Sequence, residues 1–293
     1  MARLYAPVGL SRKIKSTIYK LGNSLLLLQK NYFKEQLQSG KIFRKVFSLI
    51  LFFGIWQIFC AVDFNFFVNF SFVPSPLEVL GATTQFMSDE PLVHIQASIY
   101  RVLMGYLTAS ILGIAMGVLM GWSYVLEDLV FVPLELLRPI PAVAWIPLAI
   151  LMFPSAESGM IYITFVGAFF PILISTIRGV KSTNQIFIRV GQCLGAKQWH
   201  FLKDIVLPGA LPSITNGLVI GMGTSWFCVV TAEIIAGRVG VGYLTWESYV
   251  TSNYPPIVMG MLLIGLMGSL STLIMDRILS AFMPWLVKSK SSA

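Results

Sequence analysis

Charge is what this sequence has least of. Only 12% of its 293 residues are Asp, Glu, Lys or Arg, whereas 56% are apolar. Soluble domains carry about 25% charged residues, so the composition excludes a water-soluble protein of this size. The chain is therefore expected to lie in a membrane.

Residues and motifs for catalysis are also scarce. The two histidines, His94 and His200, form no H-E-x-x-H motif, and the three cysteines show neither disulfide nor metal-binding spacing. No serine and histidine share an apolar segment, which argues against an intramembrane serine protease. The P-loop pattern G-x-x-x-x-G-K-[ST] is missing too. The chain is thus expected to be no enzyme and to bind no metal or nucleotide, so any ATP that drives it must bind to a partner.

The few charges are unevenly distributed. The net charge is +8, but residues 63–96 contain four acidic residues and no Lys or Arg. The cations collect before residue 46, around residues 178–203 and at the end of the chain. Because Lys and Arg are enriched in cytoplasmic loops, both termini and the central loop are predicted to be cytoplasmic. Orientation accounts for the positive charge, so nucleic-acid binding is not inferred.

Six apolar segments are long enough to cross a membrane as helices. They cover residues 46–62, 97–122, 126–153, 158–177, 211–235 and 256–282. Arg138, Pro139, Pro141 and Pro147 interrupt the third segment, so two short crossings or one bent crossing are possible. One crossing, bent at residues 138–141, keeps the basic N-terminus and the basic loop on the same side and is preferred. The predicted fold class is an all-α polytopic membrane protein with six transmembrane helices.

These segments define a domain organisation. Residues 1–45 form a basic segment, either an amphipathic surface helix or a disordered tail, and residues 46–96 hold the first span and an external segment with a short helix at 77–86. Residues 97–286 form the transmembrane core, with another external segment at 237–254, and residues 287–293 are a tail. In the second span, Ala109, Gly113, Gly117 and Gly121 recur every four residues and predict close helix packing.

A polar stretch, residues 189–212, separates the fourth and fifth spans. It predicts two short helices, 188–194 and 197–206, joined at Gly195, which suits a turn with positive φ. Trp199 and Phe201 are expected to be buried within these helices. The result would be a rigid knob that fits a groove on another protein.

This stretch resembles a known motif. The run Gly191-Gln192-Cys193-Leu194-Gly195-Ala196, followed by Phe201, Ile205 and Leu207-Pro208, is similar to the coupling loop of type I ABC importer permeases, E-A-A-x-x-x-G and I-x-L-P, without its acidic residue. The resemblance covers residues 72–286. L-R-P-I-P at 137–141, W-I-P-L-A at 145–149 and G-V-G-Y-L at 240–244 are similar to the nitrate, sulfonate, taurine and bicarbonate branch.

The resemblance implies a fold and a set of partners. The fold is that of a type I ABC importer permease, and two permease copies would enclose a path. Two cytoplasmic ABC ATPase subunits would carry ATP and Mg²⁺, and an external solute-binding protein would dock at 63–96 and 237–254. The resemblance assigns ATPase coupling to the loop 183–207, through Gly191, Leu194, Gly195, Ala196, Trp199, Phe201, Leu207 and Pro208.

Charges within a span cost about 2.5–3.5 kcal/mol each, so the candidates for a translocation path are few. Arg138, beside a proline-broken backbone, either attracts an anion in a water-filled path or only pairs with Glu135 three residues earlier. Glu233 is either a gate or docking residue or an interfacial carboxylate near the outer face. The resemblance places Trp145 near the path.

Together these features predict the non-catalytic permease subunit of an ATP-driven importer in a bacterial inner membrane. Closure of the ATPases on ATP would move the knob and spans four and five. The expected substrate is a small solute, such as the anions nitrate, bicarbonate or a sulfonate. The alternatives are an ion-coupled secondary transporter or channel, and a membrane anchor. The sequence shows no internal repeat and few intramembrane carboxylates, which counts against the secondary transporter.

Overall fold

A computed structural model describes residues 40–62, 72–88, 91–183, 185–193, 195, 198–281 and 283. The basic segment before residue 40 and the tail 287–293 lie outside the described residues. The chain divides into two units, Met1–Ser71 and Phe72–Ala293. The first contains helix α1, Lys41–Ala61, which overlaps the span predicted at 46–62.

Helices make up nearly all of the described part of the second unit. In chain order they are α2 (Pro76–Ser88), α3 (Pro91–Trp122), α4 (Tyr124–Leu137), α5 (Ile146–Met152), α6 (Ala156–Lys181), α7 (Gln185–Cys193), α8 (Gln198–Phe201), α9 (Leu207–Ala236), α10 (Val241–Val250) and α11 (Tyr254–Ala281). A 3₁₀ turn at Ala142–Trp145 precedes α5, and a π-helical turn at Leu202–Val206 leads into α9. The predicted all-α fold is confirmed.

The long helices provide five candidate membrane crossings, or six if one bent pair counts as a single crossing. Five helical stretches are long and apolar enough to span a membrane alone: Phe43–Ala61, Leu92–Trp122, Ala156–Lys181, Trp199–Ala236 and Tyr254–Ala281. The sixth candidate combines Tyr124–Leu137 with Ala142–Met152, two helices that pass the same test together and are bent by 89°. The break falls at residues 138–141, where Pro139 and Pro141 lack an amide hydrogen and disfavour helix in the residue before them. The bent crossing therefore lies where the sequence predicts it.

Helix α6 is the centre of the second unit. In its most apolar window 56% of the residues are buried, against 11% for α11, and it packs between α3 and α9. The predicted small-residue ridge of α3 makes the first of these contacts, since a Cβ at Gly117 would lie 2.6 Å from Thr176 Cβ. Gly113 and Gly121 face α6 in the same way. Small residues are thus required for the backbones to approach this closely.

The two ends of this bundle differ in chemistry. At the end where α6 finishes and α9 begins, here called the loop end, Arg178 and Lys181 lie in the last turn of α6, where cations favour the helix dipole. At the opposite end, the turn end, residues 237–242 connect α9 to α10. There Ser155 Oγ accepts a hydrogen bond from Ser158 N–H at 3.2 Å and caps α6.

Candidate translocation path and coupling segment

The connection between α6 and α9 forms a helical knob at the loop end. Helix α7 ends at Cys193, Gly195 has a φ of 69°, and α8 begins at Gln198. Two short helices hinged at Gly195 are thus confirmed, although the second is one α-turn followed by the π-helical turn. A Cβ at Gly195 would meet no described atom within 4 Å. This glycine is therefore needed for its backbone conformation and not for packing.

Phe201 attaches the knob to the bundle. Its side chain is buried, and its ring centroid lies 5.8 Å from that of Trp122, the last residue of α3. A Cβ at Gly191 would come within 2.9 Å of Phe201 Cε2 and 2.8 Å of Ile205 Cδ1, so glycine allows α7 to lie directly on these side chains. The knob is consequently tied both to α3 and to the start of α9.

Trp199 does not have the position that the sequence predicts. It is 67% exposed, so the expectation that it is buried is wrong. Successive helical residues differ by about 100° in direction, so residues two apart point to nearly opposite sides of a helix. Trp199 therefore points away from the buried side that Phe201 occupies. Phe187 and Val190 are exposed as well. The knob thus presents three exposed apolar side chains, and exposed apolar groups can mark interaction sites.

The remaining coupling candidates lie at the edges of the knob. Leu207 is half-buried and Pro208 is exposed, both in the first turn of α9. Leu194 and Ala196 lie outside the described residues. The structure thus brings Gly191, Phe201 and Leu207–Pro208 to one end of the bundle, as the motif requires.

A cleft of about 490 Å³ opens along α6. Its walls are α6, the middle of α9 and the bend between α4 and α5, and its α6 residues run from Val166 to Arg178. Twelve helical residues cover about 18 Å, so the cleft reaches from the loop end towards the middle of the bundle. Arg138 and Arg178 line it with the hydroxyl-bearing Ser175 and Thr224, and no described acidic residue lines it.

Arg138 both pairs with Glu135 and lines the cleft, so each of the two alternatives considered from the sequence has a contact in the structure. Its Nη1 donates to Glu135 Oε1 at 3.1 Å, and both side chains are about half exposed. Arg138 lines both the cleft and a neighbouring cavity of about 230 Å³, whereas Glu135 lines only the neighbouring cavity. The ion pair exists, but it leaves Arg138 at the wall of the cleft.

Arg178 is a cleft residue that the sequence analysis does not identify. It lines both the cleft and the smaller cavity. Lys181 pairs with Glu127 and Arg138 with Glu135, but none of the described acidic side chains forms an ion pair with Arg178. The one signal in the sequence was that Arg178 lies at the basic end of a span. The positive-inside rule accounts for that position without any role in a translocation path.

Trp145 lies next to the cleft and not among its described lining residues. It packs against an apolar cluster that includes Ile146, Met160 and Cys228. Its Nε1 is buried and finds no hydrogen-bond partner in the part of the chain that the structure describes.

Glu233 lies in a buried ionic cluster at the turn end. It is fully buried, its Oε1 accepts from Arg101 Nη1 and from Ser98 Oγ, both at 2.7 Å, and its Oε2 accepts from Gly242 N–H at 2.9 Å. The side chain of Glu233 is therefore enclosed by protein. A carboxylate can be buried here because an arginine and two further donors satisfy it. It is not among the described residues that line the cleft.

Arg101 holds this cluster together, and the sequence analysis does not identify it. Its side chain is 4% exposed, and its Nε and Nη2 donate to the two oxygens of Glu157 at 2.8 and 2.7 Å. Its Nη1 donates to Glu233 and to Val239 O. Arg101, Glu157 and Glu233 belong to α3, α6 and α9, so one guanidinium connects the three central helices. The signal was that Arg101 is the only Lys or Arg between residues 45 and 138.

The same face of α3 also holds the turn 237–242. His94, Ser98 and Arg101 follow one another at helical spacing of four and three residues. Ser98 Oγ accepts from Val241 N–H at 3.0 Å, and His94 Nδ1 lies 3.1 Å from Gly240 O. The turn is thereby fastened to α3 at three successive points.

Several known proteins are similar to this chain. A putative ABC transporter permease protein of Methanocaldococcus jannaschii is 44% identical over 181 residues, 61% of this chain and 66% of that protein. The nitrate import permease protein NrtB of Synechocystis sp. is 32% identical over 259 residues, 85% of this chain and 90% of that protein. The taurine transport system permease protein TauC of Escherichia coli is 32% identical over 220 residues, 73% and 80% of the two chains.

A solved structure and a family model agree with these relatives. The inward-facing MetNI methionine ABC transporter matches 64% of this chain and 94% of that chain, with a TM-score of 0.55 and 20% identity. At this identity the match shows the fold, which is that of a type I ABC importer permease. Residues 109–288, more than half of the chain, match the model of one family. The chain belongs to that family, the inner membrane components of binding-protein-dependent transport systems.

Proposed function

We propose that this chain is the permease subunit of an ATP-driven importer that moves a small anion into the cytoplasm. Two copies enclose the path, and a solute-binding protein delivers the anion at the turn end. Two ABC ATPase subunits, which carry ATP and Mg²⁺, dock at the loop end. The loop end and both termini then face the cytoplasm.

The cleft along α6 is the observation that supports an anion as substrate. Arg138 and Arg178 line it, and only Arg138 has a carboxylate partner among the described residues. The hydroxyl of Ser175 adds a hydrogen-bond donor, whereas that of Thr224 already donates to the carbonyl of Gly221. Charge-assisted contacts from arginine suit planar and tetrahedral oxyanions. NrtB and TauC are named for nitrate and taurine, so an oxyanion such as nitrate or a sulfonate is the proposed class.

The knob supports coupling to an ATPase. Its apolar surface at Phe187, Val190 and Trp199 is exposed, while Phe201 is fixed against Trp122 and Gly191. A force on the exposed side is therefore passed through Phe201 to α3 and α9. Closure of two ATPases on ATP would shift both knobs and reorient the helices that line the cleft.

Replacing Arg178 tests the anion path, because this change leaves no described carboxylate without its partner. In proteoliposomes holding the permease, its copurifying ATPase and the binding protein, Arg178→Gln should lower uptake of labelled nitrate or taurine at least about tenfold, the effect of losing one charge-assisted contact. Arg178→Lys should keep part of the activity. ATPase association should not change.

The matched control is Arg277→Gln, which removes an exposed cation of α11 that forms no ion pair among the described residues and lies outside the lining of the cleft. It should transport nearly as well as the wild type. Equal uptake by Arg178→Gln and the wild type would show that Arg178 does not serve the path.

A further inference from the structure

We propose that the knob contains a receptor cavity for an arginine side chain of the ATPase subunit. The inference rests on the proposed function and specifies one contact of that interface. It assigns Asp204 and Thr183, which the coupling motif does not include.

The cavity lies between the end of α6 and the start of α9. It has a volume of about 530 Å³. Its described lining residues are Ser182, Thr183, Phe187, Asp204, Ile205, Pro208 and Gly209. Phe187 also belongs to the exposed apolar surface of the knob, so the cavity is continuous with the surface proposed to meet the ATPase.

Thr183 supplies an unsatisfied polar group in this cavity. Its side chain is 9% exposed, and its Oγ1 is buried without a hydrogen-bond partner in the described structure. A buried hydroxyl without a partner costs about 1–3 kcal/mol, and such groups are few in folded proteins. The free hydroxyl therefore points to a donor or acceptor that another molecule provides.

Asp204 supplies an unpaired negative charge beside it. It lies in the π-helical turn and is exposed. Its neighbour Lys203 forms no ion pair with it, and the ion pairs among the described residues involve other carboxylates. Arg178 and Lys181 line the other two cavities of the loop end. The charge of Asp204 is thus available to a partner.

These groups together match a guanidinium. The carboxylate of Asp204 and the hydroxyl oxygen of Thr183 can each accept from one of its N–H groups. The rings of Phe187 and Pro208 and the side chain of Ile205 can cover the apolar stem, and an aromatic ring also attracts the cation. A cavity of this composition favours arginine over an apolar or acidic side chain.

The test measures the affinity of the copurifying ATPase for the full-length permease in nanodiscs. Asp204→Asn keeps the shape and removes the charge, and Thr183→Val keeps the shape and removes the hydroxyl. Each should weaken binding about tenfold or somewhat less, as expected for the loss of one charge-assisted hydrogen bond. Asp128→Asn, which neutralises an exposed carboxylate of α4 outside this cavity, should bind like the wild type.

A charge exchange identifies the partner residue. Asp204→Arg should abolish binding, and one Arg→Asp substitution in the ATPase should restore it to this variant and weaken binding to the wild type. If Asp204→Asn and Thr183→Val bind normally while Trp199→Asp does not, the receptor cavity is refuted and the coupling surface stands. If the wild type itself binds no ATPase, the proposed function falls. Asp204→Asn is also compared in the full-length chain and in a chain that lacks residues 284–293. If it weakens binding only in the full-length chain, the chain's own basic tail fills the cavity and the inference is overturned.

Discussion

At the scale of single residues, the Arg138–Glu135 and Arg101–Glu233 ion pairs differ in what they contribute to stability. The Arg138–Glu135 pair is about half exposed, and pairs of that kind contribute about 0–1 kcal/mol. Arg101 and Glu233 are almost fully withdrawn from solvent. Breaking such a pair leaves an uncompensated buried charge, whereas removing both charges can be nearly neutral.

Arg101→Met should therefore lower the free energy of unfolding by about 3–5 kcal/mol, because Glu233 loses its counter-ion. The double variant Arg101→Met/Glu233→Gln should recover a large part of this loss. Thermal unfolding in detergent measures both effects.

Arg138→Met is the control, with an expected change of at most about 1 kcal/mol. If Arg101→Met and Arg138→Met lower the free energy of unfolding equally, the buried Arg101 cluster contributes no more to stability than the exposed pair. That result would contradict the prediction.

At the scale of helices, the α3–α6 contact depends on the absence of side chains. Gly105, Gly117 and Gly121 each lie so close to α6 that a Cβ would fall within 2.8 Å of a threonine or valine side chain. Some glycines of the other membrane helices, such as Gly265 of α11, have no described atom within 4 Å of that position. Helical glycines in this protein thus belong to two classes, and only one of them serves packing.

Gly117→Ala should lower the free energy of unfolding by about 1–3 kcal/mol, the usual effect of overpacking, because the new methyl group meets Thr176. Gly265→Ala should be neutral or stabilising by up to about 1 kcal/mol, since alanine favours helix more than glycine does. Thermal unfolding of the two variants under the same conditions measures both changes in stability. The same effect at both positions would contradict the assignment of a packing role to Gly117.

At the scale of the whole transmembrane core, the same three helices are joined at both ends. Arg101 links α3, α6 and α9 at the turn end. At the loop end Phe201 packs against α3, and Gly179 of α6 lies against Ala210 of α9. Among the described residues, the one ionic link between the bent α4–α5 pair and these helices is Glu127 with Lys181, at the end of α6. We therefore expect α3, α6 and α9 to move as one body when the knob is displaced, with the bend at residues 138–141 as the adaptable part.

The orientation of the core can be tested with a native cysteine. Cys193 at the end of α7 is exposed, whereas Cys228 is buried. In sealed right-side-out vesicles containing the chain without its ATPase, a membrane-impermeant maleimide should leave Cys193 unmodified, and in inside-out vesicles it should label it. Cys193→Ser gives the background. Ready labelling from the exterior would invert the orientation and refute the proposed function.

The sequence by itself determined the features that depend on neighbouring residues. The length of the apolar runs predicts the spans, prolines predict the bend at residues 138–141, and the glycine at position 195 predicts the hinge of the knob. Each follows from local backbone preferences or from the thickness of the bilayer, which need no knowledge of the rest of the chain.

Only the tertiary structure decided which side chains meet. Arg101 and Glu233 are 132 residues apart, and Arg101 and Glu157 are 56 apart, so no local pattern indicates that they form one cluster. The exposure of Trp199 was equally undetermined, because an amphipathic turn offers two aromatic residues and only packing against Trp122 and Gly191 selects Phe201 for the buried side. Contacts between distant segments depend on how the helices pack in three dimensions, and hydropathy along the chain does not record that arrangement.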